Sequence, residues 1–173
     1  MRNAPLSACF FLILGFFLPL EAQVALPGLV PVAKAGVTTI TGTSGTTHVV
    51  VRIKTRKAKV SPKGIVQGHL DAMLCGDLGS SCNLIDDIEI IVSGHALIVP
   101  IGVFCDMADL HYADLTVGQR TSVLKLEGGD ASTSYTEKVY FDQKMVRRKT
   151  VAPGEFPDQL LEDTRYYMPV LGD

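Results

Sequence analysis

Residues 106–111 have the clearest potential for chemistry, because two carboxylates and one imidazole fall within six positions. If this segment is helical, Asp106, Asp109 and His111 lie close enough together to bind a cation. Aspartates also occur commonly at helix ends, where a carboxylate oxygen accepts backbone N–H groups. The spacing therefore predicts either a metal site, which a periplasmic hydrolase would use, or two helix-capping aspartates.

No nucleophile in the chain has a recognisable catalytic context. The residues around Ser44, Gly-Thr-Ser-Gly, resemble the nucleophile loop of some serine proteases, but a linker is the simpler interpretation. The four histidines are scattered along the chain, so no Ser/His/Asp triad can be assembled from the sequence. The sequence therefore identifies no catalytic residue and no cofactor.

Three cysteines follow the predicted leader, and one pair of them is expected to form a disulfide outside the cytoplasm. Cys75 and Cys82 enclose a flexible segment, and closing so short a loop contributes roughly 2 to 3 kcal/mol in a chain-entropy treatment. The alternative is a Cys82–Cys105 disulfide. If Cys75 and Cys82 pair, Cys105, beside Val103 and Phe104, is predicted to be a small buried apolar residue rather than a reactive thiol.

The charges are segregated along the chain. Residues 23–70 hold seven Lys or Arg and no Asp or Glu, whereas residues 71–114 hold eight Asp or Glu and no Lys or Arg. The structural interpretation places a basic strand beside the acidic segment, where each cross-strand pair contributes roughly 0.2 to 1 kcal/mol. The functional interpretation is a basic surface that binds an anionic lipid headgroup, glycan or protein. The residues concerned are Arg52, Lys54 and Arg56 on the basic side and Asp86, Asp87 and Glu89 on the acidic side.

Residues 48–59 alternate between apolar and polar side chains, which is the period of a half-buried β-strand. The predicted inner row is Val49, Val51, Ile53 and Thr55, and the outer row carries the basic residues. Further strands are predicted at 65–74, 112–117, 121–127, 135–141 and 144–151, followed by a loop and a final packed strand near 165–171.

Two aliphatic runs at 88–92 and 96–99 flank a short segment centred on Gly94, which is the pattern of a β-hairpin. Gly94 is the expected pivot, because glycine takes a positive φ at little cost. The near-continuous apolar runs predict burial on both faces, with pairing ending at Pro100. Apolar residues at helical spacing then predict one short helix within 101–110.

Eight or nine short strands separated by turn residues predict an all-β, mainly antiparallel fold, a single-domain sandwich or barrel spanning residues 47–173. Residues 23–46, rich in Pro, Gly and Thr, are predicted to form a flexible arm with at most a short strand. Residues 1–22 have the layout of a secretory signal peptide. No later stretch is apolar enough to span a membrane, so the expected product is exported, periplasmic or secreted, without a transmembrane segment.

Two groups of motifs carry a resemblance. They are Ile98-Val99-Pro100 to Phe104 with Asp106 and Ala108-Asp109-Leu110, and Gly128-Gly129-Asp130 to Ser134-Tyr135. Across residues 86–170 the chain resembles small exported proteins of Gram-negative bacteria that have no assigned activity. The resemblance implies a periplasmic or secreted location and no catalytic residue, and that family's pattern does not require cysteine at position 105.

These features favour an exported, non-enzymatic protein that binds a protein or an anionic cell-envelope component through Arg52, Lys54 and Arg56. The alternative function is the periplasmic hydrolase at residues 106–111. A third interpretation is a structural envelope protein whose arm at 23–46 tethers or swaps with a neighbour. Nucleic acid is not an expected partner, because the formal net charge is -2 and the destination lies outside the cytoplasm.

Overall fold

The computed structural model describes residues 28–59, 81–130 and 133–167. Nearly all the regular structure there is antiparallel β, and one 3₁₀ turn lies at Ile101–Val103. The all-β prediction is confirmed. The described strands are β1 (Val30–Pro31), β2 (Gly36–Ser44), β3 (Thr47–Lys59), β4 (Ser81–Val92), β5 (His95–Ala96), β6 (Leu110–Thr116), β7 (Ser122–Gly128), β8 (Tyr135–Phe141), β9 (Val146–Pro153) and β10 (Glu162–Arg165).

The strands form two sheets whose inner faces share one core. The six-stranded sheet has the order β1-β6-β7-β8-β9-β10, and the four-stranded sheet has the order β2-β3-β4-β5. Buried side chains from both sheets belong to one apolar cluster, which includes Val51 and Ile53 from one sheet and Leu124 and Val139 from the other. Of the two predicted architectures, the sandwich is therefore the one that fits.

The alternation in β3 has the predicted effect, since Val49, Val51 and Ile53 are buried while Arg52 and Lys54 are exposed. The same period operates in β4, where alternate residues from Ile88 to Val92 are buried. The prediction that this aliphatic run is buried on both faces is therefore wrong. One sheet face is in the core and the other is solvated, as is usual for antiparallel sheets.

The predicted hairpin turn is confirmed as a two-residue turn, in which Ser93 and Gly94 have φ of 48° and 87°. The second hairpin strand is shorter than predicted, because β5 contains two residues and Ile98 is 87% exposed. The N–H of Leu97 still donates to the carbonyl of Ile90. Beyond that bond the chain crosses to the six-stranded sheet, so residues 98–99 cannot continue the ladder.

The short helix predicted within 101–110 is reduced to the 3₁₀ turn at Ile101–Val103. Asp109 has a φ of 49°, which an α-helix does not accommodate, and β6 starts at the next residue. The inward side chains of this crossover include Val103, Phe104 and Met107, whereas Cys105 is exposed. The prediction of a buried Cys105 is therefore wrong.

The flexible arm predicted at 23–46 is wrong for residues 36–44, because they form β2 and pair with β3 through nine consecutive residues. Ile40 is 3% exposed and belongs to the core, so the domain begins before residue 47. The hydroxyl of Thr55 also donates to the carbonyl of Ala33 at 2.5 Å. Threonine and β-branched residues favour strands, and that preference outweighs the glycine content.

Four further predicted strands are confirmed as β6, β7, β8 and β9, with ends displaced by two residues or fewer. A further strand, β10, pairs with β9 and is partly exposed, whereas most of the final strand predicted near 165–171 lies outside the described residues and stays a prediction. The leader at 1–22, the strand at 65–74 and the Cys75 side of the Cys75–Cys82 disulfide lie outside the described residues, so they stay predictions.

Candidate functional site

Two ion pairs, here named the outer ion pairs, lie on the solvated face of the four-stranded sheet. Arg52 on β3 is directly opposite Glu89 on β4, and its Nη1 lies 2.7 Å from Glu89 Oε2. The Nε of Arg56 lies 2.6 Å from Oδ1 of Asp86. The structural interpretation of the segregated charges is confirmed by these contacts.

A β-bulge in β4 brings its acidic residues to this face. The register shifts after Lys54, so that Asp87 is opposite Lys54 while Asp86 has no direct cross-strand partner. Strict alternation between the buried Ile85 and Ile88 would turn one aspartate inward, and the extra residue of the bulge avoids this. Both aspartates therefore face outward beside the basic row of β3.

The predicted binding residues Arg52, Lys54 and Arg56 share this outer face, but two of the three already contact carboxylates. The positive charge of β3 is consequently offset by the acidic residues of β4. Exposed pairs of this kind contribute about 0 to 1 kcal/mol. A role for the three residues in binding stays a prediction.

An open cavity of about 490 Å³, here named the end cavity, lies at the end of the sandwich where β1, β3, β4 and β6 meet. Its size falls within the range of small-ligand sites, which is roughly 300 to 1,000 Å³. The polar and aromatic residues that line it are Lys34, Lys57, Asn83, Asp109, His111 and Tyr112. Four chain segments that are distant in sequence therefore contribute to one concave surface.

Lys34 and Lys57 give the end cavity a positive charge. Both side chains are exposed, and in residues 28–59, 81–130 and 133–167 neither ammonium forms an ion pair. Asp109 is the single acidic residue among the described lining residues. The Lys and Asp side chains of the lining thus carry an excess of one positive charge.

Backbone hydrogen bonds between the two sheets fix one wall of the end cavity. Asn83 and Asp109 bond reciprocally: Asp109 N–H donates to Asn83 O at 2.6 Å, and Asn83 N–H donates to Asp109 Oδ1 at 2.9 Å. The side-chain amide of Asn83 donates to Leu110 O at 3.4 Å. Its Oδ1 is buried and accepts no hydrogen bond from the described part of the chain. This wall is therefore held by the fold, and it retains one unused acceptor.

A second bulge forms the aromatic side of the end cavity. Leu110 pairs with Gly128 and Tyr112 pairs with Glu127, so His111 is the extra residue of β6. His111 and Tyr112 are consequently both exposed, and their rings meet edge to face with centroids 6.5 Å apart. On their far side is a shallower depression of about 410 Å³.

The predicted metal residues have separate partners. Both oxygens of Asp106 accept hydrogen bonds from Lys149, at 2.8 and 2.9 Å, whereas Asp109 belongs to the cavity wall and His111 contacts Tyr112. Within the described ranges, no group of three or more His, Cys, Asp or Glu side chains is placed to hold a metal ion. The α-helix that would have brought the three residues together does not form, so the metal site stays a prediction without geometric support.

A second set of charges is centred on two buried side chains, Glu137 and Lys149, and includes the partly exposed Asp106 and Glu162; it is here named the buried cluster. The Lys149 side chain is 0% exposed, and its Nζ bonds Asp106, the carbonyl of Gly102 at 3.0 Å and Oε2 of Glu162 at 3.1 Å. Burial opposes the charged form of Lys149, but hydrogen bonds and the nearby carboxylates outweigh burial and raise its pKa. Lys149 therefore remains an ammonium.

Glu137 occupies an inward position of β8 and is 0% exposed. Neither of its carboxylate oxygens has a hydrogen-bond partner in the described structure. Burial raises its pKa well above the usual range, Lys149 partly opposes this, and Asp106 and Glu162 add to it. Burial raises the pKa of Tyr135, and Glu137, Asp109 and Asp106 add to this effect; its hydroxyl donates to Ala108 O at 2.8 Å.

No protein-family model matches the chain, and neither a curated protein nor a solved structure matches it. The resemblance to exported Gram-negative proteins therefore stays a prediction. Among the described residues, no helix has the length and apolar character needed to cross a membrane.

Sequence reasoning missed both the end cavity and the buried cluster. The buried cluster had a signal: the alternation predicted for β8 places Glu137 in the same row as Val139 and Phe141. A charged residue in an apolar row indicates either burial or a wrong register. The end cavity had no such signal, because Lys34 and Asn83 are brought together only by packing of the two sheets.

Proposed function

We propose that the chain is an exported, non-enzymatic binding protein whose end cavity takes an anionic group of a cell-envelope component. The observation that carries this proposal is the pair of lysines, Lys34 and Lys57, that lack an ionic partner in the described residues and share one concave surface. Export and the envelope location rest on the layout of residues 1–22.

The end cavity suits an anion better than the outer face of β3 does. On that face Arg52 and Arg56 are engaged by carboxylates, so an incoming anion must compete with Glu89 and Asp86. In the cavity the ammonium groups are available, and a concave low-dielectric surface strengthens their field. Binding should therefore weaken as the ionic strength rises.

The remaining lining groups suit the uncharged part of such a ligand. Tyr112 and His111 offer ring surface and polar atoms, as aromatic residues in sugar or headgroup sites commonly do. A phosphate or carboxylate attached to a hydroxylated group combines both features.

Charge reversal at the cavity tests this function. The double variant Lys34→Glu/Lys57→Glu replaces two attractive charges by two repulsive ones, so binding should weaken about tenfold or more. The measurement is co-sedimentation with phosphatidylglycerol vesicles and binding to soluble polygalacturonate, with phosphatidylcholine vesicles as the neutral comparison. These probes separate a phosphate ligand from a carboxylate ligand.

Two matched variants make the result specific. Lys138→Glu/Lys144→Glu changes the net charge equally on β8 and in the β8–β9 turn, at residues that do not line the cavity, and should bind as the unmodified protein does. Arg52→Glu/Arg56→Glu tests the outer face of β3, which the sequence predicts as a binding surface. An equal loss of binding in all three variants, or a loss in the Arg52→Glu/Arg56→Glu variant alone, would show that the end cavity is not the anion-binding site.

A further inference from the structure

Within residues 28–59, 81–130 and 133–167 the two sheets have four edge strands, and three of these edges are poorly suited to pairing with another chain. β1 and β5 contain two residues each, and β1 ends in Pro31. β10 has four residues, three of them charged: Glu162, Asp163 and Arg165. Short length, proline and charge are the usual means by which proteins prevent edge-to-edge association.

β2 has none of these protections. It contains nine residues, none of them charged and none of them proline, and it pairs with β3 without a register shift. In the described part of the chain no strand pairs with its other edge. β2 therefore presents a regular row of backbone N–H and C=O groups along one side of the sandwich.

We propose that this edge pairs antiparallel with β2 of a second copy of the chain, about a two-fold axis at Ile40. The two four-stranded sheets then form one continuous sheet across the dimer. This interface is separate from the end cavity and does not depend on the proposed function. Two-fold interfaces of this kind use the same surface on both copies.

The sequence of β2 is complementary to itself in this register. The axis at Ile40 places Thr39 opposite Thr41 of the second copy, and Thr41 opposite its Thr39, on the outer face. Cross-strand threonine pairs are favourable, and β-branched residues fit a pleated surface. On the inner face Ile40 is already buried within one copy, so the backbone ladder and the threonine pairs carry the interface rather than new apolar burial.

Charge also favours a second copy over a foreign strand. β2 has no charged side chain with which to select a particular partner, and no like charges meet when it pairs with itself. The nearest basic neighbour, Arg52, is opposite Thr39 and is already neutralised by Glu89. Positive charge therefore does not accumulate at the junction.

A charge-exchange experiment tests the interface and its register together. Thr39→Glu/Thr41→Glu places carboxylates opposite carboxylates, and Thr39→Lys/Thr41→Lys places ammonium groups opposite ammonium groups. Both positions are exposed, so each variant should keep the fold, which circular dichroism checks. Light scattering after size-exclusion chromatography should show a dimer for the unmodified full chain, monomers for each variant, and dimers again when the two variants are mixed.

The control is Gln143→Glu/Gln159→Glu, which adds the same charge at exposed residues of the β8–β9 and β9–β10 connections and should remain a dimer. An unmodified protein that stays monomeric over about a hundredfold range of concentration would overturn the proposal. So would dimers that persist in both charged variants, or a mixture of the two that fails to associate.

Discussion

The outer ion pairs and the buried cluster hold opposite charges in opposite surroundings. In the outer pairs Arg52 and Glu89 are 49% and 40% exposed, so water solvates each partner whether or not the other is present. In the buried cluster Lys149 and Glu137 are removed from water. Removing one partner of an outer pair should therefore cost little stability. Removing a charge from the buried cluster should cost more, because its neighbours then lose their compensating charge.

The difference also concerns what the charges connect. An outer pair links two strands that already share a long ladder, so it adds little to their pairing. Lys149 on β9 bonds the crossover through Gly102 and Asp106, and β10 through Glu162. β10 is also held to β9 by backbone pairing and by the Arg148–Asp163 ion pair, so the buried ammonium group adds to those contacts and also ties the crossover to β9.

The largest effect is expected from Lys149→Met. This change keeps the apolar stem but leaves Asp106 and Glu162 without the ammonium that pairs with them. The free energy of unfolding should fall by about 3 kcal/mol, as is typical when one partner of a buried pair is removed. Urea denaturation followed by circular dichroism measures the loss.

Two comparisons sharpen that result. Lys138→Met, at an outward position of β8, should change stability by less than about 0.5 kcal/mol. Glu137→Leu/Lys149→Met removes the buried acid together with its neighbour and should be less destabilised than Lys149→Met alone. If the loss of unfolding free energy in the double variant equals the sum of the losses in the two single variants, Glu137 and Lys149 are not energetically coupled.

The next effect is a change in pH dependence in Glu137→Gln. The folded protein holds the Glu137 proton more tightly than the unfolded chain, whose carboxyl has its ordinary pKa of 4.5. Stability is therefore fully present below that pH and is lost as the pH rises through the folded pKa, by up to about 1.4 kcal/mol per pH unit. The glutamine variant lacks this loss and should be the more stable protein at neutral pH.

Chemical denaturation from about pH 5 to about pH 8 isolates this contribution. The pKa values of Asp142 and Asp163 are lowered, so their stabilisation is lost only below pH 3.8. Lys149 stays charged throughout, because its pKa is raised. Glu127→Gln, on the adjacent strand, is the matched control. Parallel pH profiles for the Glu137 variant and the unmodified protein would show that Glu137 is ionised in both states.

The outer pairs were predictable from the sequence because both of their causes are local. Alternation placed Arg52 outward on β3, and the acidic segment followed in a strand that had to pair nearby. The bulge at Asp86 was not predicted, although two adjacent aspartates between apolar residues indicate one. The sequence therefore predicted which two segments supply the outer ion pairs, but it did not predict the register of β4 around the bulge.

The buried cluster and the end cavity depend on packing between elements that are distant in the chain. Asp106 reaches Lys149 only because the predicted helix is absent and the crossover lies over β9. The sequence analysis also missed most of β2. Its glycine and threonine content is typical of a linker, but all nine of its residues pair with β3. The sandwich follows from periodicity, whereas contacts between its layers follow from how the sheets are placed.

The smallest effect is expected at the outer pair itself. A double-mutant cycle with Arg52→Ala and Glu89→Ala should give a coupling free energy of about 0.2 to 1 kcal/mol. Salt should reduce this coupling, because both side chains are in contact with solvent. A salt-independent coupling above about 2 kcal/mol would mean that this pair behaves as a buried one, and exposure would then no longer explain the contrast with Lys149.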